Sequence, residues 1–149
     1  DLHRRRHSFP TRRSSDLGGT SYAPAIKLIL DEYVGAASGF FSKSRPSKKL
    51  KYPVFVLYFT DGENDDKTET ESLIREASKY GIYFQFVGIG TAPMPFLEKL
   101  DDLSGRNIDN AGFFRSKDID RMSDDDLYSS MMTEFPDFVF KARQTGLIS

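Results

Sequence analysis

The sequence contains no cysteine and no tryptophan, and only two histidines. Without cysteine there is no disulfide, no thiolate nucleophile and no cysteine-based zinc site, which fits a reducing compartment and makes the cytoplasm the expected location. Both histidines, His3 and His7, lie at the very start of the chain, which excludes histidine-based triad chemistry from the rest of it. No apolar run reaches the 18 or so residues that a membrane-spanning helix needs, so no membrane partner is expected. Nor is there an excess of either charge: 21 basic side chains stand against 22 acidic ones, and nothing global points to nucleic acid. At 149 residues the chain has apolar content for one core, hence one domain.

The charge is unevenly placed. Residues 1–17 hold five arginines and two aspartates, a net +3, so with a total of −1 the remainder carries −4. This opening stretch, DLHRRRHSFPTRRSSDL, shows neither helical nor strand periodicity, and from His7 to Leu17 it resembles, residue for residue, one reading frame of a common sequencing adapter. The expectation is that residues 1–17 are foreign to the fold and that residues 18–149 carry it.

From Tyr22 to Ala37 the apolar residues Tyr22, Ile26, Ile29, Leu30 and Tyr33 recur at helical spacing, with Thr20 or Ser21 as the expected N-cap. A polar stretch, Ser38 to Tyr52, follows with Lys43, Arg45, Lys48, Lys49 and Lys51 and no acid; it reads as a solvated loop, with a phosphate or partner patch as the alternative. Pro53 to Thr60 is a continuous apolar run of strand length, the pattern of a strand covered on both faces, and it stops at Asp61-Gly62. A helix is expected over Thr68 to Tyr80 with Gly81 as its stop, a second apolar strand over Ile82 to Ile89, and a helix over Pro95 to Leu103. A short strand falls within Asn107 to Phe114. Ser123 then caps a last helix, which Pro136 kinks or splits and Gly146 ends. Alternation of this kind predicts an α/β fold: a doubly wound, Rossmann-like, mostly parallel sheet with helices on both faces.

Ligands of such sheets bind beyond the carboxyl ends of the strands, where Asp61 stands. Two familiar sites do not fit. An EF-hand starting at Asp61 fails because Asp66 replaces the required glycine and Ser72 the closing glutamate; Gly88 and Gly90 make no dinucleotide loop because Pro93 occupies the third glycine position. Asp65 and Asp66 read as first-turn helix charges rather than ligands.

Phe59-Thr60-Asp61-Gly62-Glu63-Asn64 resembles the strand-end Asp-Gly motif of von Willebrand factor A (vWA) domains, Gly18-Gly19-Thr20 their threonine motif, and Gly88-Ile89-Gly90 the close of the next strand. With Phe96 to Leu103, Asp109 to Phe114 and Glu134-Phe135-Pro136, the set resembles the vWA subfamily of bacterial tellurium-resistance and stress-response clusters over Gly18 to Ile148. The resemblance implies a protein-binding module rather than an enzyme. It also implies a Mg²⁺ ion held by the Thr20 hydroxyl and the Asp61 carboxylate, with a partner's carboxylate completing the shell. The family's Asp-x-Ser-x-Ser motif and first strands are missing, so a weakened metal site is expected, and a bare outer edge on the strand at Val54 to Phe59. Two alternatives stand beside this reading: a metal-independent interaction scaffold, and a Mg²⁺-dependent phosphoryl-transfer enzyme using Asp61.

Overall fold

The computed structural model describes residues 20–34, 50–116 and 121–149. Residues 1–17 and most of the basic stretch lie outside them. Among the described residues eight elements follow in order: α1 (Ala23–Val34), β1 (Val54–Thr60), α2 (Lys67–Ala77), β2 (Ile82–Ile89), α3 (Pro95–Asp101), β3 (Ala111–Ser116), α4 (Asp124–Met131) and α5 (Phe135–Gln144). The three strands form one parallel sheet in the order β1-β2-β3, with Val54 opposite Ile82 and Phe84 opposite Ala111. Parallel neighbours need a crossover, and α2 and α3 supply the two crossovers.

The alternation of side chains along β2 divides the molecule into layers. Phe84 and Phe86 face a core built with Tyr22, Ile26 and Leu30 of the α1 segment, Leu73 and Ile74 of α2, and Leu97 and Leu100 of α3. Tyr83 faces the other way, into a smaller core with Phe138 and Ala142 of α5 and Ile148. Helices therefore cover both faces, as the alternation of elements predicts. Burying each large apolar side chain in these cores contributes about 1.5–3 kcal/mol.

The central strand meets expectation and the outer one departs from it. β2 is buried on both faces up to Gly88. On β1, Leu57 and Phe59 are 37% and 48% exposed. On that face Phe55 meets α5, its ring 4.9 Å from that of Phe135, while Leu57 and Phe59, nearer the carboxyl end of the strand, stay partly open. No strand among the described residues pairs with the outer edge of β1.

The helix ends agree with the sequence reading only in part. α2 stops at Ala77, and Gly81 is not in a left-handed conformation. A β-carbon at Gly81 would lie 2.2 Å from Cγ2 of Ile148, so close packing rather than helix termination requires glycine there. α1 ends its described span at Val34, and the expected extension to Ala37 lies outside the described residues. Pro136 splits the last helix outright: α4 ends at Met131 and α5 restarts at Phe135 with proline in its first turn, where a missing N–H costs nothing. The Ser123 cap is as expected, its side chain accepting from the Asp126 amide at 3.1 Å.

Candidate functional site

Asp61 stands one residue beyond the last residue of β1, exposed, at the carboxyl edge of the sheet. Its Oδ1 accepts the Glu63 amide at 3.0 Å, a short Asx turn that orients the carboxylate. Gly62 makes the reversal with φ 92°, and a β-carbon there would lie 2.5 Å from Cγ of Met94. Met94 is 1% exposed and also packs on Gly88, where a β-carbon would sit 2.4 Å from its sulfur. The two glycines thus let one methionine plug the ends of β1 and β2 beneath the Asp61 loop.

Under that loop lies a buried polar pair. The hydroxyls of Tyr22 and Thr60 are 2.6 Å apart, and Thr60 Oγ1 also accepts the Gly62 amide at 3.1 Å. Burial pushes the Tyr22 phenol above its usual range; the bond to Thr60 opposes the shift, and Asp61, Asp66 and Glu63 add to it through their negative charge. Tyr22 is a fully buried side chain, and through this contact it ties the start of α1 to the end of β1.

Thr20, the other expected ligand, is half-buried just ahead of α1. Its carbonyl accepts the Asp65 amide at 2.9 Å, so the segment carrying Thr20 lies along the loop that begins at Asp61. Asp66 adds a firmer link. Its carboxylate accepts from the amides of Tyr22 at 3.0 Å and Ala23 at 2.9 Å and from the Thr70 hydroxyl at 2.9 Å, while its own amide donates to Asn64 Oδ1 at 2.8 Å. The first amides of α1 are thus held from across the fold by Asp66, and this is the role that a reading of Thr20 or Ser21 as cap misses. Burial acts to raise the Asp66 pKa, but the donors from Tyr22, Ala23, Thr70 and Asn64 outweigh it and hold it below the usual carboxylate range.

Thr20 and Asp61 offer a hydroxyl and a carboxylate, oxygen donors of the kind a hard cation prefers. In type they fit Mg²⁺; in number they fall well short of its six positions. Among the described residues no group of three or more histidine, cysteine, aspartate or glutamate side chains could hold a metal ion.

A second polar cluster lies on the α5 side, where Tyr83 donates to Glu134 Oε2 at 3.3 Å and Arg106 pairs with Asp109 at 2.9 Å. Burial pushes the Asp101 carboxyl up to about 6, with the charges of Glu134, Asp109 and Asp102 adding to it and Arg106 opposing; Glu134 is raised as well, first by burial. The stretches Phe96 to Leu103, Asp109 to Phe114 and Glu134-Phe135-Pro136 carry the acids of this cluster, but their convergence is not visible in the sequence because they come from separate segments.

No described helix is long and apolar enough to cross a membrane. Among curated proteins, YcbR of Bacillus subtilis (strain 168), an uncharacterised protein, is 35% identical over 136 residues, covering 91% of this chain and 51% of its own length. Copine-E of Dictyostelium discoideum is 35% identical over 101 residues, 64% of this chain and 17% of its own. The chain therefore spans at most about half the length of these relatives. The model of a family described as the vWA domain found in the TerF C terminus matches residues 11–148, including the last part of the stretch expected to be foreign. Sheet order, strand-end loop and this match over nearly the whole chain agree: the chain belongs to the TerF-like vWA family.

Proposed function

We propose that this domain is a protein-binding module that engages its partner through a divalent cation, Mg²⁺, held by the Thr20 hydroxyl and the Asp61 carboxylate. The observation that carries the reading is the Thr20 to Asp65 backbone bond, which lays the hydroxyl-bearing segment along the loop that starts at Asp61. Interaction is the general business of vWA domains, and Asp61 is exposed where a partner's carboxylate has access to a shared ion. Two side-chain oxygens make a weak site, and an upstream Asp-x-Ser-x-Ser segment would strengthen it. The setting that goes with this reading is the cytoplasm of a bacterium, in a tellurium-resistance or stress-response system. Tellurium itself has no thiol to bind in this sequence.

Mn²⁺ shares the oxygen preference of Mg²⁺ and reports weak binding by broadening nearby amide resonances. Titrated into the ¹⁵N-labelled chain, it should broaden Ser21 and Gly62 to Asn64 first, and Asp61→Ala should remove the effect. Broadening centred on Asp101, Asp109 and Glu134 instead would refute the assignment. A metal-independent scaffold is the second reading, favoured by the shortage of ligands among the described residues; it requires that no specific broadening occur while partner binding persists. Labelling of Asp61 by a phosphoryl-transfer probe would point to the enzyme alternative.

A further inference from the structure

We infer that Asp66 is the positioning residue of this site, the group that fixes the Thr20 segment against the Asp61 loop. The inference rests on the cation-site reading for its functional consequence and on hydrogen bonds alone for its structural one. Thr20 and Asp61 are 41 positions apart in the sequence and have no covalent reason to stay together. One backbone bond, Asp65 to the Thr20 carbonyl, joins their segments directly. Asp66 supplies two more across the same junction, from both of its oxygens, and both are charge-assisted. Other contacts anchor it to α2 and to the loop: it accepts from the Thr70 hydroxyl and amide, and its own amide donates to Asn64 Oδ1. The Asn64 and Thr70 side chains also approach each other, at 3.4 Å, and both residues are buried. Asp66 is therefore held from both sides, with three donors already on its carboxylate. It orients a ligand segment without being a ligand. A negative charge at the start of α1 is also what the helix dipole favours, and no acidic residue of α1 itself lies in its first turn.

Two readouts on the full chain test this, with wild type, Asp66→Ala, Asp66→Asn and Thr70→Ala compared. Amide hydrogen exchange at Tyr22 and Ala23 should speed up about tenfold in Asp66→Ala relative to exchange at Phe84 and Phe86 in the core, and less in Asp66→Asn, which keeps one acceptor oxygen. In the Mn²⁺ titration, Asp66→Ala should retain broadening at Gly62 and Glu63 but lose most of it at Ser21, splitting two effects that move together in the wild type. A merely stabilising residue would weaken both equally. Thr70→Ala, which removes one contact to Asp66 and no contact to α1, should shift both readouts in the same direction by less, and it carries the test should Asp66→Ala not fold. Wild-type protein that shows no Mn²⁺ effect at either segment would overturn the cation reading, and the positioning role with it. Wild-type broadening at both segments that Asp66→Ala leaves unsplit, or unchanged exchange at Tyr22 and Ala23, would overturn this inference alone.

Discussion

The carboxylate of Asp66 accepts the backbone amide of Tyr22 at 3.0 Å, 44 positions earlier in the sequence. One side chain at the head of α2 thereby closes the N-terminus of α1, and the two helices meet further along through the Lys27 to Glu69 ion pair. The exposed ion pair adds little; the Asp66 contacts are part-buried and matter more.

The first consequence is in acid. The Asp66 pKa is depressed in the folded state, so its contribution is fully present above the unfolded value near 4 and is lost as pH falls through the folded one. Thermal melts of the wild type should decline below about pH 4, and Asp66→Asn should show a shallower decline there. At pH 7 Asp66→Ala should cost about 2–3 kcal/mol, from charge-assisted bonds left without an acceptor.

Asp101 works in the opposite sense. Its pKa is raised, to about 6, so the folded state holds a proton that the unfolded chain releases, and stability falls as pH rises from about 4 to about 6. Asp101→Asn should flatten that part of the profile and stabilise the protein at pH 7 by about 1 kcal/mol, after allowance for solvent screening of a half-buried group, with a correspondingly higher melting temperature. A melting temperature at pH 7 below that of the wild type would contradict the burial and charge argument.

Gly62 and Gly90 separate backbone strain from crowding. Both have positive φ, 92° and 107°, but a β-carbon at Gly90 meets nothing within 4 Å, while at Gly62 it meets Met94 Cγ. Gly90→Ala should cost about 1 kcal/mol and Gly62→Ala about 2–4 kcal/mol. In a double-mutant cycle, Met94→Ala should recover part of the Gly62→Ala loss, and strict additivity would show that Met94 is not the obstacle.

Layer order and strand positions were legible in the sequence because VFVLYFT and IYFQFVGI are apolar runs bounded by clear breaks. Asp61 was legible too, since a strand ending abruptly in Asp-Gly marks its own place. The partial exposure of Leu57 and Phe59 was not, because composition cannot say how completely neighbouring elements cover a strand. Asp66 was visible as a helix-start charge, but the amides that donate to it, those of Tyr22 and Ala23, belong to a segment 43–44 positions earlier, and no local pattern records which of two nearby helix ends a carboxylate serves.

Leu57, Phe59 and Ile89 are 37%, 48% and 46% exposed, near the carboxyl ends of adjacent parallel strands. An apolar strand without an outer partner among the described residues promotes self-association. Light scattering should show association rising with concentration, and Phe59→Thr, which keeps strand preference and removes the ring, should reduce it with a change in stability of about 1 kcal/mol or less. Association unchanged by Phe59→Thr would place the contact elsewhere.

A cation-dependent protein contact through Asp61 can be read from the capture of protein partners from a bacterial lysate on the immobilised chain. Capture is run in Mg²⁺ and in chelator, with wild type beside Asp61→Ala. Proteins should be retained in Mg²⁺, released by chelator and absent from Asp61→Ala, a variant that forfeits only the exposed Asx turn to Glu63 and so keeps the wild-type melt. Retention that is indifferent both to chelator and to Asp61→Ala would contradict it and leave a scaffold that binds without metal.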